Sequence, residues 1–407
     1  MVSLSIFLGL NRGMAGLMFM VILVGMGERM AERFLPIYLI ALGGSALSVG
    51  LLNGLDNLLS ALYSFPGGYV SDRLGTKRAL LVFNVLAMFG FVIVVAIPAW
   101  PAVIIGSFFF LSWTAISLPA TMDMVSRLLP KNKRTMGVSM HSLMRRIPMA
   151  LGPLVGGGMI SAWGEIAGIR LAFIGALVLA LVAMILQQVL IPADGADARP
   201  SEAVHNPVKL FREMPSSLRR LLVSDILIRF CEQIPYAFVV VWAMKTMANP
   251  VSAFQFGILT TIEMITAMLV YIPVAWMADR TTKKPFVVIT FVFFTLFPVA
   301  LLFCQNFWML VAAFVLRGLK EFGEPTRKAL IMDLAPEGKK ASMFGLYYLM
   351  RDLVVSLAAF GGAFLWLISP TVNFLTATAF GIAGTLWFVR YGEGKEKVED
   401  EAGATAT

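Results

Sequence analysis

Residues 79–98, ALLVFNVLAMFGFVIVVAIP, run for twenty positions without a charge. A run of about 18 or more apolar residues is long enough to cross a bilayer as a helix. Comparable runs recur along the whole 407-residue chain, PFVVITFVFFTLFPVALLF at 285–303 among them. This recurrence leaves one fold class, an all-α membrane protein. A membrane β-barrel would instead alternate polar and apolar residues over segments of about ten. The charged fraction agrees, at 14% where a soluble domain carries about 25%. Twelve spans are expected, at about 14–38, 46–67, 79–98, 101–124, 135–160, 169–191, 221–244, 252–276, 285–304, 307–329, 341–367 and 371–390. The first is a long internal span, so no cleavable signal peptide is expected.

The net charge of +9 does not point to nucleic acid, because its distribution is topological. Of the Lys and Arg at or beyond the span ends, Arg170 and Lys245 alone fall on the face opposite the chain ends. The positive-inside rule then places both termini in the cytoplasm of a bacterial-type inner membrane. Cys231 and Cys304 lie in apolar spans and imply no disulfide framework. His141 and His205 form no metal-ligand spacing with them. No nucleotide-binding fingerprint is present. The expected protein is thus not an enzyme, has no cofactor or metal, and uses an ion gradient instead of ATP.

Residues 193–220 form the longest polar connection. They divide the chain into an N-terminal half (1–192) and a C-terminal half (221–390), with a disordered tail at 391–407. The halves echo each other. A shift of 207 superposes Pro66 on Pro273, Asp72 on Asp279 and Arg73 on Arg280. A shift of 206 superposes Arg145 on Arg351 and Gly156 on Gly362. Internal repeats of this kind are common in secondary transporters, whose sites lie between the repeats near the midplane.

The loop GGYVSDRLGTKR between spans 2 and 3 resembles the signature of the major facilitator superfamily, with Gly68, Asp72, Arg73, Gly75, Lys77 and Arg78 filling its positions. A degenerate copy, with Asp279 and Arg280, stands between spans 8 and 9. The resemblance covers the whole chain and implies two pseudo-symmetric six-helix bundles around a central cavity. It also implies that Asp72 latches the cytoplasmic side against a helix N-terminus, an interaction of some tenths to about 1 kcal/mol.

Ionisable residues inside the spans follow a period of three: spans 3, 6, 9 and 12 have none in their interiors. The resemblance implies that these four lie outside, away from the cavity. Span 1 carries Glu28, Arg29, Glu32 and Arg33, which share one side of a helix within about 140°. Facing lipid, each would cost about 2.5–3.5 kcal/mol; facing a wet cavity and pairing, they cost far less. The expected cavity residues are Arg29, Arg33, Asn53, Asp56, Asn57, Trp113, His141, Arg145, Arg229, Gln233, Tyr236, Arg317, Glu321 and Arg351. Glu28, Glu32, Glu232 and Glu263 are the candidates for carrying protons. Glu28 and Glu32 stand one turn apart, so their repulsion favours one shared proton. Against this stands a structural alternative, in which the charges are ion pairs holding the halves together. Arg145 and Arg351, at equivalent positions, could flank an anionic group.

Span 5 contains Gly152, Pro153, Gly156 and Gly157, which resemble the core of the fifth-helix motif of proton-coupled antiporters; Ser139 and Pro148 replace its upstream glycines. The physical content of such a motif is close helix packing. ERFLPIY in span 1 resembles part of the first-helix motif of proton-coupled peptide transporters, with the spacing to Glu28 longer by one.

Three functions are consistent with these residues. The first is proton-coupled export of amphipathic compounds by antiport. The second is proton-coupled import of a zwitterionic or anionic metabolite, which the dense charge favours. The third is a receptor or scaffold with a transporter fold. The expected partners are a small-molecule substrate, protons and the lipid bilayer, with the chain acting as a monomer.

Overall fold

The computed structural model describes residues 12–111, 113, 117, 121, 134–191, 207–278, 282–336 and 340–393. Helices dominate, and no strand occurs among the described residues. Span 1 is Arg12–Glu32 continued by Leu35–Ala41; span 2 is Ala46–Leu74; span 3 is Thr76–Ala96; span 4 begins as Trp100–Phe110. Span 5 is Arg134–Trp163 and span 6 is Glu165–Leu190. Span 7 is Ser216–Tyr236 with Phe238–Val241 and a π-turn at Trp242–Thr246; span 8 is Ala253–Ala278; span 9 is Lys284–Phe303. Span 10 is Phe307–Leu319 and Glu324–Leu334, span 11 is Lys340–Ile368, and span 12 is Pro370–Tyr391. Eight of the described helices are long and apolar enough to cross a membrane by themselves. Spans 2, 4, 5 and 10 fall outside that group; span 4 is described continuously only as the shorter apolar helix Trp100–Phe110, and span 10 is interrupted.

Local sequence sets the helix ends. Asn306 and Ser369 accept from the amides of Met309 and Val372, capping spans 10 and 12. Proline opens spans 4, 9 and 12, where its missing N–H costs nothing. Three breaks depart from the expected continuous spans, the one in span 7 falling at Ala237, just after Pro235. Span 1 is interrupted at Arg33–Phe34 because Pro36 starts a new helix. Span 10 is interrupted at Lys320–Gly323, before Pro325. The freed amide of Gly323 donates to Thr290 Oγ1 of span 9 at 2.5 Å, as backbone at membrane depth requires. The connection between the halves also holds a short helix, Pro207–Arg212, whose Leu210 is buried, as is Met214 just after it. Arg219 donates to the carbonyls of Phe211 and Arg212, both at 3.0 Å, capping that helix.

The packing is symmetric. In the N-terminal half, span 1 packs on spans 5 and 6, and span 3 on spans 4 and 6. The C-terminal half repeats this, with span 7 on spans 11 and 12, and span 9 on spans 10 and 12. Between halves, span 5 lies along span 8 and span 2 along span 11. Glycines permit these approaches. A Cβ on Gly156 would lie 1.9 Å from Met30 O of span 1; at its repeat counterpart, Gly362, it would lie 2.2 Å from Ile234 O of span 7. Between halves, Gly157 would meet Ala253 O at 2.3 Å and Gly257 would meet Pro153 O at 2.5 Å.

On the face opposite the chain ends, the halves are closed by apolar side chains. Phe34, Leu35 and Ile37 of span 1 join Phe238, Val239, Val240 and Phe256 in one buried cluster. Phe34 meets Phe256 edge-on at 5.9 Å, and Phe256 meets Phe314 at 5.7 Å. Above this plug Lys245 of span 7 pairs with Glu165 of span 6, joining the halves again.

Candidate functional site

Beneath the plug, between the halves, is a cavity. Its polar lining is Glu32 and Arg33 of span 1, Asn53 and Asp56 of span 2, Tyr236 of span 7 and Arg317 of span 10. Its free volume is about 40 Å³, room for about two or three waters. An organic solute would need the side chains to rearrange or the other face to open.

The centre of the site is Tyr236. The Arg33 guanidinium lies 5.0 Å from the ring centroid and that of Arg317 lies 5.6 Å away. One arginine comes from each half. Arg317 also packs on Phe297 and Phe314, at 5.1 and 5.5 Å. Cation–π contacts of this kind contribute about 0.5–2 kcal/mol when desolvated. Beside the stack, Asn53 Nδ2 donates to Gln233 O at 3.0 Å and Asn57 Nδ2 donates to Gln233 Oε1 at 3.2 Å, tying span 2 to span 7.

From Arg317 an alternating chain of charges runs through the C-terminal half. Arg317 Nε approaches Glu263 Oε1 at 3.2 Å, and Lys320 Nζ lies 3.6 Å from the same oxygen. Lys320 then bonds Glu232 at 2.7 Å and Arg229 bonds Glu232 at 2.6 Å. Arg229 reaches Glu324 at 3.3 Å, and Arg327 grips Glu324 through both oxygens, at 2.6 and 3.1 Å. Arg327 also pairs with Asp225, which accepts from Tyr347 at 3.1 Å. Arg351 stands 3.5 Å from Asp225, bonds Asp352 at 2.7 Å and packs on Tyr348 at 4.2 Å. Asp225, Glu263 and Arg327 are each 1% exposed, so mutual pairing is what makes their ionised burial tolerable.

The N-terminal half is sparser. Arg29 bonds Glu32 at 2.8 Å and Glu28 is buried beside them. Arg146 reaches across to Glu321 of span 10 at 3.6 Å. Arg33, Asp56 and Arg145 have no ion-pair partner within 4 Å among the described residues, and Arg33 and Asp56 face the same cavity. The equivalence of Arg145 and Arg351 is therefore positional only: Arg351 is paired, while Arg145 is half-buried with no carboxylate within 4 Å among the described residues.

Of the expected cavity residues, Arg33, Asn53, Asp56, Tyr236 and Arg317 line the cavity, together with Glu32. Arg29, Asn57, Gln233, Arg229, Glu321 and Arg351 engage the partners given above. Trp113 points elsewhere: its indole donates to Asn84 of span 3 at 2.8 Å, and Asn84 donates to Gln187 of span 6 at 2.9 Å. Gly152, Gly156 and Gly157 pack against spans 1 and 8. Lys77 of the loop donates to the carbonyls of Gln188 and Ile191 at the end of span 6, at 2.9 and 2.5 Å. Asp279 and Arg280, and the side-chain surroundings of Gly68, Asp72 and His141, lie outside the described residues. Sequence reasoning missed Arg327, which reads as a boundary cation near the end of span 10. Its signal was the Glu324–Arg327 spacing of three, one turn of helix.

The Major Facilitator Superfamily model matches the chain over residues 17–248 and again over 226–406. An uncharacterized MFS-type transporter of Methanocaldococcus jannaschii is 22% identical over 383 residues, 89% of this chain and 90% of that one. Among solved structures, a variant of the nucleoside transporter NupG superposes with a TM-score of 0.80 at 14% identity, covering 94% of this chain and all of that one. A POT family transporter in complex with 5-aminolevulinic acid gives a TM-score of 0.78 at 14% identity, covering 94% and 96%.

Proposed function

The chain belongs to the Major Facilitator Superfamily, and from that premise we propose that it couples protons to the movement of a small polar solute carrying an anionic group. It is a multi-pass membrane transporter and not an enzyme. The finer reading rests on one observation: the cavity between the halves holds Arg33 and Arg317 both against the ring of Tyr236, with Asp56 and Glu32 in the same wall. Guanidinium groups suit carboxylate or phosphate, and an acid in the same wall suits an amine. The 5-aminolevulinic acid of the POT family structure carries both groups. Export of amphipathic compounds, the first expectation from sequence, needs a broader apolar cavity. Buried acids among these cations supply proton sites, and one chain encloses the whole cavity, in keeping with a monomer.

Counterflow in proteoliposomes tests this. Preloaded 5-aminolevulinic acid or a dipeptide should exchange with external label, and an inward proton gradient should raise accumulation several-fold. Exchange of an amphipathic cation alone would support export, and no exchange of any probe would support the scaffold.

The positive-inside distribution supports a cytoplasmic membrane with both termini inside. Single cysteines at Ser201 and Ala402 should then escape an impermeant thiol reagent in intact cells and react after lysis. Labelling before lysis would invert the orientation.

A further inference from the structure

Far from the cavity, the linker helix Pro207–Arg212 gathers a cationic surface at the start of span 7 and the end of span 12. Leu210 and Met214 join one buried cluster with Leu218 of span 7, Met343 of span 11 and Phe388 of span 12. Lys209 and Arg212 are left exposed. Arg219 of span 7 is exposed beside them; it bonds the Phe211 and Arg212 carbonyls and its guanidinium lies 5.1 Å from the Phe211 ring centroid. On the other side of Arg220, the Trp387 indole of span 12 donates to the Arg220 carbonyl at 3.1 Å. Arg390 follows one turn later, in the last turn of span 12. Lys209, Arg212, Arg219, Arg220 and Arg390 thus come from three segments to one patch. The acids beside them are Glu213 and Glu393, and Glu393 pairs with Arg220 at 3.1 Å. Lys209, Arg212, Arg219 and Arg390 have no ion-pair partner within 4 Å among the described residues. Topogenic cations need only lie on one side of the membrane; nothing in that rule brings them together from three segments.

The patch lies at the depth of lipid headgroups. Leu375, Ile382, Leu386 and Val389 are exposed along span 12, the surface that lipid covers, and this stripe stops at Arg390. Trp387 and Tyr391 pack together at 4.7 Å beside its end, both part-exposed. Amphipathic rings of this kind sit at the headgroup level. The Arg390 guanidinium lies 5.7 Å from the Tyr391 ring centroid.

We infer that this patch binds the headgroup of an anionic phospholipid in the leaflet on the side of the chain ends. Basic clusters next to a span attract anionic lipid, and guanidinium groups take phosphate oxygens in pairs. The acyl chains would lie along the apolar stripe of span 12, directly above the cations. A zwitterionic headgroup offers the same phosphate but brings its own cation, which the surplus of positive charge repels. A soluble phosphate offers the charge and forgoes the apolar stripe. A bound headgroup ties the linker helix to spans 7 and 12, on the segment that connects the two halves. The site is independent of the solute in the cavity and of the direction of its transport.

Native mass spectrometry of the full chain in detergent tests this, with equal amounts of phosphatidylglycerol and phosphatidylcholine offered together. Phosphatidylglycerol should be retained several-fold over phosphatidylcholine. Replacing Lys209, Arg212 and Arg390 together by Gln should reduce that ratio several-fold; all three side chains are exposed, so the melting temperature in detergent should stay unchanged. Glu393→Gln releases Arg220 and should raise the ratio, a gain that misfolding does not produce. The control replaces Lys131, Lys133 and Arg134 by Gln, three cations elsewhere in the sequence. An unchanged ratio in the first triple variant overturns the site. An equal fall in the control overturns it too, since diffuse attraction to all the basic residues would then suffice. Displacement of the bound lipid by glycerol phosphate, which has no acyl chains, assigns the patch to soluble phosphate and overturns the lipid as its occupant.

Discussion

Arg327→Met is expected to remove most of the folded protein from the membrane. Arg327 is 1% exposed and holds Asp225, both oxygens of Glu324 and the Tyr348 hydroxyl, the last at 3.3 Å. Methionine fills much of the volume and supplies none of the donors. Asp225 would keep only Tyr347 and two longer ion pairs, Arg351 at 3.5 Å and Arg229 at 3.9 Å, and Glu324 would keep Arg229 at 3.3 Å and the exposed Lys328 at 3.5 Å. Breaking a buried pair by removing one partner costs about 3–5 kcal/mol, a large part of the 5–15 kcal/mol typical of whole domains. Size-exclusion chromatography of detergent extracts should show the monodisperse peak reduced to a small fraction. Arg327→Lys should recover part of it, since lysine restores the charge but not the fork. A normal peak and melting temperature for Arg327→Met would show that the alternating chain does not hold the C-terminal half together.

The second large effect is expected at the glycine pair. Gly156→Val and Gly362→Val should each destabilise strongly and to similar extents. In both cases the obstructing atom is a backbone carbonyl of the neighbouring helix, Met30 O at 1.9 Å and Ile234 O at 2.2 Å from an added Cβ. A flexible side chain could swing away; a helix backbone must shift bodily. Overpacking costs about 1–3 kcal/mol or more, so thermal melting should fall by several degrees at least. Gly361→Val is the control. It adjoins one of the pair, and an added Cβ there meets nothing within 4 Å. Equal melting temperatures for all three would mean that spans 1 and 5, and 7 and 11, do not depend on this contact.

Much of this architecture is legible in the sequence because lipid imposes it. Apolar length marks the spans, and charge marks the helices that cannot face lipid. The repeat even anticipates the glycine contacts, since Gly156 and Gly362 are paired by the same shift that pairs Arg145 with Arg351. The partners of each charge were not legible. Arg145 and Arg351 occupy equivalent positions, yet among the described residues only Arg351 has a carboxylate within 4 Å, because Asp225 and Asp352 lack counterparts in the other half. Trp113 read as a cavity residue, but its indole satisfies Asn84, a polar residue on a helix that otherwise reads as lipid-facing. The breaks at Arg33–Phe34 and Lys320–Gly323 were signalled by Pro36, Gly323 and Pro325, but continuous hydrophobicity masks a break where the freed backbone groups are satisfied by a neighbouring helix.

The alternating chain also bears on how the protein responds to voltage. Asp225, Glu232, Glu263, Glu324 and Asp352 stand against Arg229, Arg317, Lys320, Arg327 and Arg351, five of each sign. Carrying one elementary charge through 100 mV costs or releases about 2.3 kcal/mol. A set of side chains whose charges sum to zero can move together through that field without net work. The resting potential of the membrane then has no net grip on the C-terminal half through these ten residues.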